Sequence, residues 1–289
     1  MHGTLILLLE PFLYYEFMRL ALLTAVIVGS ICSVLSCFLV IKRWALLGDA
    51  VSHSVLPGVA ASYLLGLPYF IGALFSGVFF SLCIGYIQQH TRLKEDSSMG
   101  IVFTGAFALG VLIISEVRGQ VNLYNILFGN ILTVTRMDFL LTLITGAAVV
   151  LVIIVLYKAI TYWTFDPTAA QVAGIPVKTL HYLMMLMLSA TIVASLRTVG
   201  IVMVIAMLIT PGATGFLLSY RLPTMILLSL LCGNISAITG LYLSYYFDLA
   251  TGAVMVLTAL CLFVAALIFS PSQGVFAHRS RSPAGWGNH

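Results

Sequence analysis

The sequence predicts an all-α, polytopic membrane protein, and three observations lead there. Hydrophobic residues make up 61% of the 289-residue chain and charged residues only 8%, whereas soluble domains carry roughly 25% charged residues. Mean hydropathy is +1.13. Apolar stretches of about 20 residues, each long enough to cross about 30 Å of hydrocarbon as a helix, follow one another with short polar joints. Too little length is left over for a soluble domain of useful size.

Taken in order, the apolar segments place spans near 18–41, 45–65, 68–89, 98–116, 138–158, 178–197, 200–219, 225–246 and 251–270. This makes about nine crossings, or eight if one of them fails to span. With the N-terminus outside, Lys42, Arg43, Arg92, Lys94, Lys158, Lys178, Arg221, Arg279 and Arg281 fall on internal ends, against external Arg19, Arg118, Arg136 and Arg197. That asymmetry satisfies the positive-inside rule. Residues 1–17, with Glu10, Pro11 and Glu16 among leucines and aromatics, are too short and too acidic for a further span and are expected to lie at the interface. They lack the basic start and small-residue cleavage site of a signal peptide. Residues 271–289, rich in Ser, Pro, Gly and Arg, are expected to form a disordered cytoplasmic tail suited to the anionic inner leaflet. Cys32, Cys37, Cys83, Cys232 and Cys261 each sit in apolar sequence without CxxC spacing, so packing is expected of them rather than a disulfide framework.

Against this background GDAVSHSVLPG, Gly48 to Gly58, stands out. Asp49 and His53 are four apart and share one helix face. An acid inside a span costs on the order of 2.5 to 3.5 kcal/mol on insertion scales and usually marks a conduit or a ligand site. A carboxylate oxygen with an imidazole nitrogen suits divalent manganese, iron or zinc better than a soft monovalent ion. Pro57 cannot donate to the His53 carbonyl, which leaves an oxygen expected to be free beside the ring. The plainer alternative is that Asp49 caps a helix and His53 packs against a neighbour.

In FDPTAAQVAGIP, Phe165 to Pro176, Asp166 and Pro167 read as N-cap and first position of a short helix and Gly174 as its stop. It lies on the side taken as cytoplasmic, as a connector or as a docking knob for a partner. Glu95 and Asp96 complement the dipole at the start of the fourth span. In LITPGATGFLLS, Leu208 to Ser219, Pro211 is expected to kink the seventh span while Gly212, Ala213 and Gly215 allow close helix approach. Pro57 and Pro211 are thus candidate pore hinges, with packing as the default at Pro211. Met184, Met185, Met187, Met203 and Met207 are expected to be core filler rather than thioether ligands. Val121 to Thr133, with Asn122, Asn125 and Asn130 among apolar residues, fits an external interfacial helix or re-entrant turn.

The sequence contains no HExxH zinc-protease helix, no GxSG nucleophile turn and no GxxxxGK phosphate loop, which argues against an intramembrane enzyme and against a self-contained ATPase. An ion-coupled secondary transporter or a channel would equally place Asp and His at mid-membrane, and it would work without an ATPase partner.

The motifs WALLGDAVSHSVLPGVA, RLKEDSSMGIVFTGAFALGVLI, LFGNIL, DPTAAQVAGIPVKTLHYL and VGIVMVIAMLITPGATGFLLS, in that order, resemble the permease subunits of bacterial ATP-binding-cassette importers for manganese, zinc and chelated iron, the ABC-3 family. The resemblance runs from Glu10 to about Ser270, with Gly212 standing where an Ala is frequent. It implies the vitamin B12-type (type II) importer fold, one permease domain over residues 1–270, in a bacterial plasma membrane. It also implies a permease homodimer or paired paralogous permeases, two cytoplasmic ATPase subunits that bind the ATP, and an extracytoplasmic metal-binding protein. The chain itself would hold no cofactor, pass a manganese, iron or zinc ion, meet lipid and no nucleic acid, and hydrolyse nothing. By resemblance Asp49 and His53 match the family's metal-contacting Asp and His. Within 165–177, Asp166, Pro167, Ala169, Ala170, Gly174, Ile175 and Pro176 match its cytoplasmic coupling helix. The metal leans toward manganese and iron, and zinc stays open because all three ions accept Asp and His.

Overall fold

A computed structural model describes residues 15–116 and 134–270, and among these all regular structure is helical. The expectations for residues 1–14, for 121–133 and for the tail 271–289 lie outside the described residues. The helices are α1 (Glu16–Lys42), α2 (Ala45–Ser54), α3 (Leu56–Leu65), α4 (Tyr69–His90), α5 (Glu95–Glu116), α6 (Arg136–Val155), α7 (Tyr157–Phe165), α8 (Pro167–Val172), α9 (Val177–Val199), α10 (Ile201–Leu218), α11 (Leu222–Phe247) and α12 (Thr251–Phe269). Eight of them are long and apolar enough to cross a membrane.

The ninth expected crossing, 45–65, is not one helix. It divides at Val55 into two ten-residue halves, each too short to span alone at about 1.5 Å per residue. The cause is Pro57, which offers no N–H to the preceding turn. The Ser76 hydroxyl of α4 donates instead to the Ser54 carbonyl at the break, at 2.6 Å. The expected free carbonyl on His53 is not free, since the Val55 N–H turns to it. The fifth crossing also differs from its expected end, because after Val155 the chain bends at Leu156 and continues as α7 to Phe165.

Enclosure sorts the helices. α1 and α9 are 67% and 72% buried along their most apolar stretches, and α5 and α12 only 22%. α1 packs along α10 and α11, which also pack on each other and on α12, while α9 packs against α4 and α6. Small hydroxyl residues carry many of these contacts, as membrane helix packing requires: Ser30 pairs with Asn234, and the Cys37 thiol with Ser229. The five methionines expected as filler, Met184, Met185, Met187, Met203 and Met207, are all buried in the main core. All five cysteines are free; Cys32, Cys37 and Cys232 are buried and Cys261 is exposed.

α10 runs unbroken through Pro211. Ser36 of α1 braces this turn: its hydroxyl accepts from the Gly212 N–H at 2.9 Å and donates to the Ile209 carbonyl at 3.1 Å. A Cβ on Gly212 would lie 2.6 Å from the Ser36 carbonyl oxygen. The close approach of α1 and α10 therefore calls for glycine here.

Candidate functional site

Asp49 and His53 lie one turn apart on α2, the helix that opens immediately after the α1 reversal at Arg43 and Trp44. At about 1.5 Å of rise per residue, they stand about 6 and 12 Å along the axis from Ala45. The Asp49 Oδ1 is 3.3 Å from the His53 Nε2, and the two side chains are 43% and 23% exposed. The pair thus opens in part to the surface of the chain, Asp49 more than His53. The plain capping role is absent, because α2 begins at Ala45 and has no side-chain cap.

The other ring nitrogen of His53, Nδ1, is buried without a hydrogen-bond partner. Phe103 and Phe107 of α5 flank the imidazole, with ring centroids at 5.2 and 5.8 Å. Apolar rings beside an imidazole–carboxylate pair lower the local dielectric and strengthen its interaction with a cation. Among the described residues no group of three or more His, Cys, Asp or Glu side chains converges. One chain therefore supplies one carboxylate and one imidazole, short of the four or more donors that a divalent transition ion ordinarily takes. Phe103 and Phe107 were not read from the sequence, although their spacing of four on the adjoining acidic-capped helix was the available signal.

Pro57 is buried in the first turn of α3, and Pro211 is buried inside α10. Neither touches the pair as a ligand would. The two prolines mark where the backbone departs from, or is held to, regular helix.

The second group stands apart from the first. Asp166 caps α8, accepting from the Thr168 and Ala169 N–H groups at 3.0 and 2.9 Å. The Thr168 hydroxyl, and then the Ala169 N–H, hold the Asp166 carboxyl below its ordinary value of 3.8. Pro167 takes the first helical position, where its missing N–H costs nothing. Ala170 is fully buried on the inner side, while Val172 is 91% exposed at the tip. Gly174 stops the helix at φ +78°, a conformation that side chains resist. The Ile175 N–H donates to the Ala170 carbonyl at 3.0 Å, and Pro176 precedes α9. Asp166, Pro167, Ala169, Ala170, Gly174, Ile175 and Pro176 are thus one compact capped turn that presents an apolar tip.

A bundle of membrane-crossing helices with an ionisable pair on a broken helix, and a capped apolar turn, fits a transport permease. Residues 14–270 match the ABC 3 transport family, and the chain belongs to it. It is 52% identical over 267 residues to the "Manganese transport system membrane protein MntC" of Halalkalibacterium halodurans, covering 92% of this chain and 91% of that one. It is 44% identical over 263 residues to the "Probable iron transport system membrane protein" of Haemophilus influenzae, covering 91% and 97%. Among solved structures it resembles "PsaBC from Streptococcus pneumoniae in complex with Fab", with a TM-score of 0.84, 36% identity and coverage of 95% and 99%. The chain is a multi-pass permease of a bacterial plasma membrane.

Proposed function

We propose that the chain imports a divalent transition metal ion, manganese first, with iron or zinc the other candidates, as the permease of an ATP-driven importer. The observation that carries this reading is the Asp49–His53 pair, 3.3 Å apart on the broken α2–α3 element and open to the chain's surface. The relatives' names, manganese and iron transport proteins, point to the same cargo. A channel or ion-coupled carrier is the less economical reading, because the chain belongs to a family named for ABC transport.

In this reading two permeases, identical or paralogous, meet across the α2 and α5 surfaces. Two Asp49 carboxylates and two His53 rings then supply two oxygens and two nitrogens around one ion, and the carboxylates offset its double charge in a low dielectric. A separate ATPase seats on residues 165–177 with Val172, almost wholly exposed on α8, at the contact. ATP binding there moves the Ala169–Gly174 turn, rocks the permease halves and opens the pair to opposite sides in turn. An external metal-binding protein delivers the ion, and ATP is hydrolysed only on the partner.

The test is cellular manganese, iron and zinc by mass spectrometry in a strain lacking the permease, restored with the unaltered chain, Asp49→Asn, Asp49→Glu or His53→Ala at matched membrane abundance. One metal should fall in the deletion and return only with the unaltered chain, and Asp49→Glu should retain more transport than Asp49→Asn. Full restoration by His53→Ala would return that histidine to packing. No change in any metal would overturn the importer reading.

A further inference from the structure

A buried aromatic cluster at the base of the bundle joins the two functional groups. Trp44, 1% exposed, immediately precedes α2, and its ring meets Trp163 of α7 edge-on at 5.6 Å and His181 of α9 at 5.0 Å. Trp163 and His181 are themselves 2% and 9% exposed, and 6.3 Å apart. Trp163 lies three residues before the Asp166 cap of α8, and His181 lies five residues after Pro176. Both chain ends of the coupling segment are therefore anchored on rings, and both rings bear on Trp44. The Lys42 ammonium, 4.2 Å above the Trp163 ring, adds a cation–π contact from the end of α1. On its other edge Trp44 donates its indole N–H to Glu95, the first residue of α5, at 2.8 Å.

The connections divide by destination. From Trp44 the backbone leads directly into α2, with Asp49 and His53, while the indole bond leads into α5, with Phe103 and Phe107 against the His53 ring. Ring-to-ring contacts in a close-packed interior transmit displacement with little slack. The buried Nε2 of His181 has no hydrogen-bond partner, so on this side Trp44 meets its neighbours by ring contact alone.

We propose that Trp44 is the joint through which movement of the coupling segment reaches the metal path, received from Trp163 and His181 and passed to α2 and α5 together. The ligands and the rings covering them then move as one unit. Trp44, Trp163 and His181 are positioning residues, since none touches the ion. The proposal rests on the reading of 165–177 as the ATPase seat and of Asp49 and His53 as the path.

The test uses the complex of the permease with its ATPase in lipid, with the five native cysteines replaced and Leu46→Cys carrying an environment-sensitive dye. Leu46 is 50% exposed on α2, three residues before Asp49. ATP should shift the dye emission in the otherwise unaltered complex. In Trp163→Leu the shift should vanish and ATP-driven manganese uptake fall about tenfold while ATP hydrolysis continues, with Trp163→Phe restoring both. An unchanged shift and unchanged uptake in an assembled Trp163→Leu complex would overturn the joint. Should that variant not assemble, Trp44→Phe decides, because it keeps a ring and removes the Glu95 bond; uptake per ATP should fall about fivefold, and an unchanged ratio counts against the proposal. Val172→Arg separates the underlying reading: an ATPase still bound to that variant overturns the seat at α8 and the joint with it. Loss of binding there, with a normal response in Trp163→Leu, overturns the joint alone.

Discussion

Pro57 and Pro211 are the same residue in two apolar crossings, and the backbone answers them differently. At Pro211 the helix continues over Ile201–Leu218, with Ser36 of α1 accepting from one side of the defect and donating to the other. At Pro57 the crossing divides at Val55, and the one hydroxyl from a neighbouring helix at the break is Ser76, which donates to the Ser54 carbonyl. A proline removes one donor in both places. The two places differ in their neighbours: at Pro211 a hydroxyl from α1 bonds the backbone on both sides of the proline and packs close against it, and at Pro57 a hydroxyl from α4 bonds one carbonyl at the break. The break at Val55 falls two residues past His53, so it sets where the pair stands; the repaired defect at Pro211 sets how tightly α1 and α10 pack.

The largest effect that tests this contrast is on transport. Pro57→Ala restores an N–H where the chain now divides. It should lower metal uptake by about tenfold at unchanged membrane abundance, since a small misplacement of ligands is costly. Pro211→Ala should leave uptake within about twofold, because Ser36 already holds that turn. Uptake by reconstituted permease with its ATPase measures both. A severe defect in Pro211→Ala at normal abundance would reverse the comparison and make Pro211 the working hinge.

A middle-sized effect is expected on stability. Gly212→Val drives a branched side chain into Ser36 and should cost about 1 to 3 kcal/mol or prevent folding. Ser36→Ala strands the Gly212 N–H and should cost about 1 kcal/mol in the membrane. Ser76→Ala removes a single bond at the break and should cost less than Ser36→Ala, about 0.6 kcal/mol. Unfolding of the detergent-solubilised protein ranks the three. A larger loss from Ser76→Ala would mean that the break, not the repair, is the more tightly held of the two.

How much of this was legible follows from how far apart the interacting residues lie. The spans came from composition and length alone. The α8 turn came from Asp166, Pro167 and Gly174, because caps obey rules within a few residues. The Asp49–His53 pairing is likewise a spacing of four. Pro57 was visible as a disturbance, yet neither the division at Val55 nor the occupied His53 carbonyl was, since they depend on how the chain relaxes and on Ser76 of α4. The repair of Pro211 depends on Ser36, 176 residues from Gly212, and the Trp44–Glu95 bond spans 51 residues. Glu95 read correctly as the start of a helix while its partner stayed hidden, because dipole complementarity is local and an indole arriving from another helix is not.

The smallest expected effect belongs to the other functional region and separates local from tertiary control. The Asp166 carboxyl is exposed and held below its ordinary value by the Thr168 hydroxyl and the Ala169 N–H. A depressed carboxylate stabilises the folded turn fully above the ordinary aspartate value, and that contribution is lost as pH falls through the depressed one. Hydrogen exchange at the Thr168 and Ala169 amides, corrected for intrinsic pH dependence, should therefore be flat from neutral pH down to the ordinary aspartate range and rise below it. Asp166→Asn, which keeps an acceptor oxygen but no charge, should remove that rise while keeping most of the protection, since Asn caps almost as well as Asp. If the rise instead persisted in Asp166→Asn, the turn would be held by the bundle rather than by its own cap, and α8 would be an extension of the bundle rather than a locally built knob.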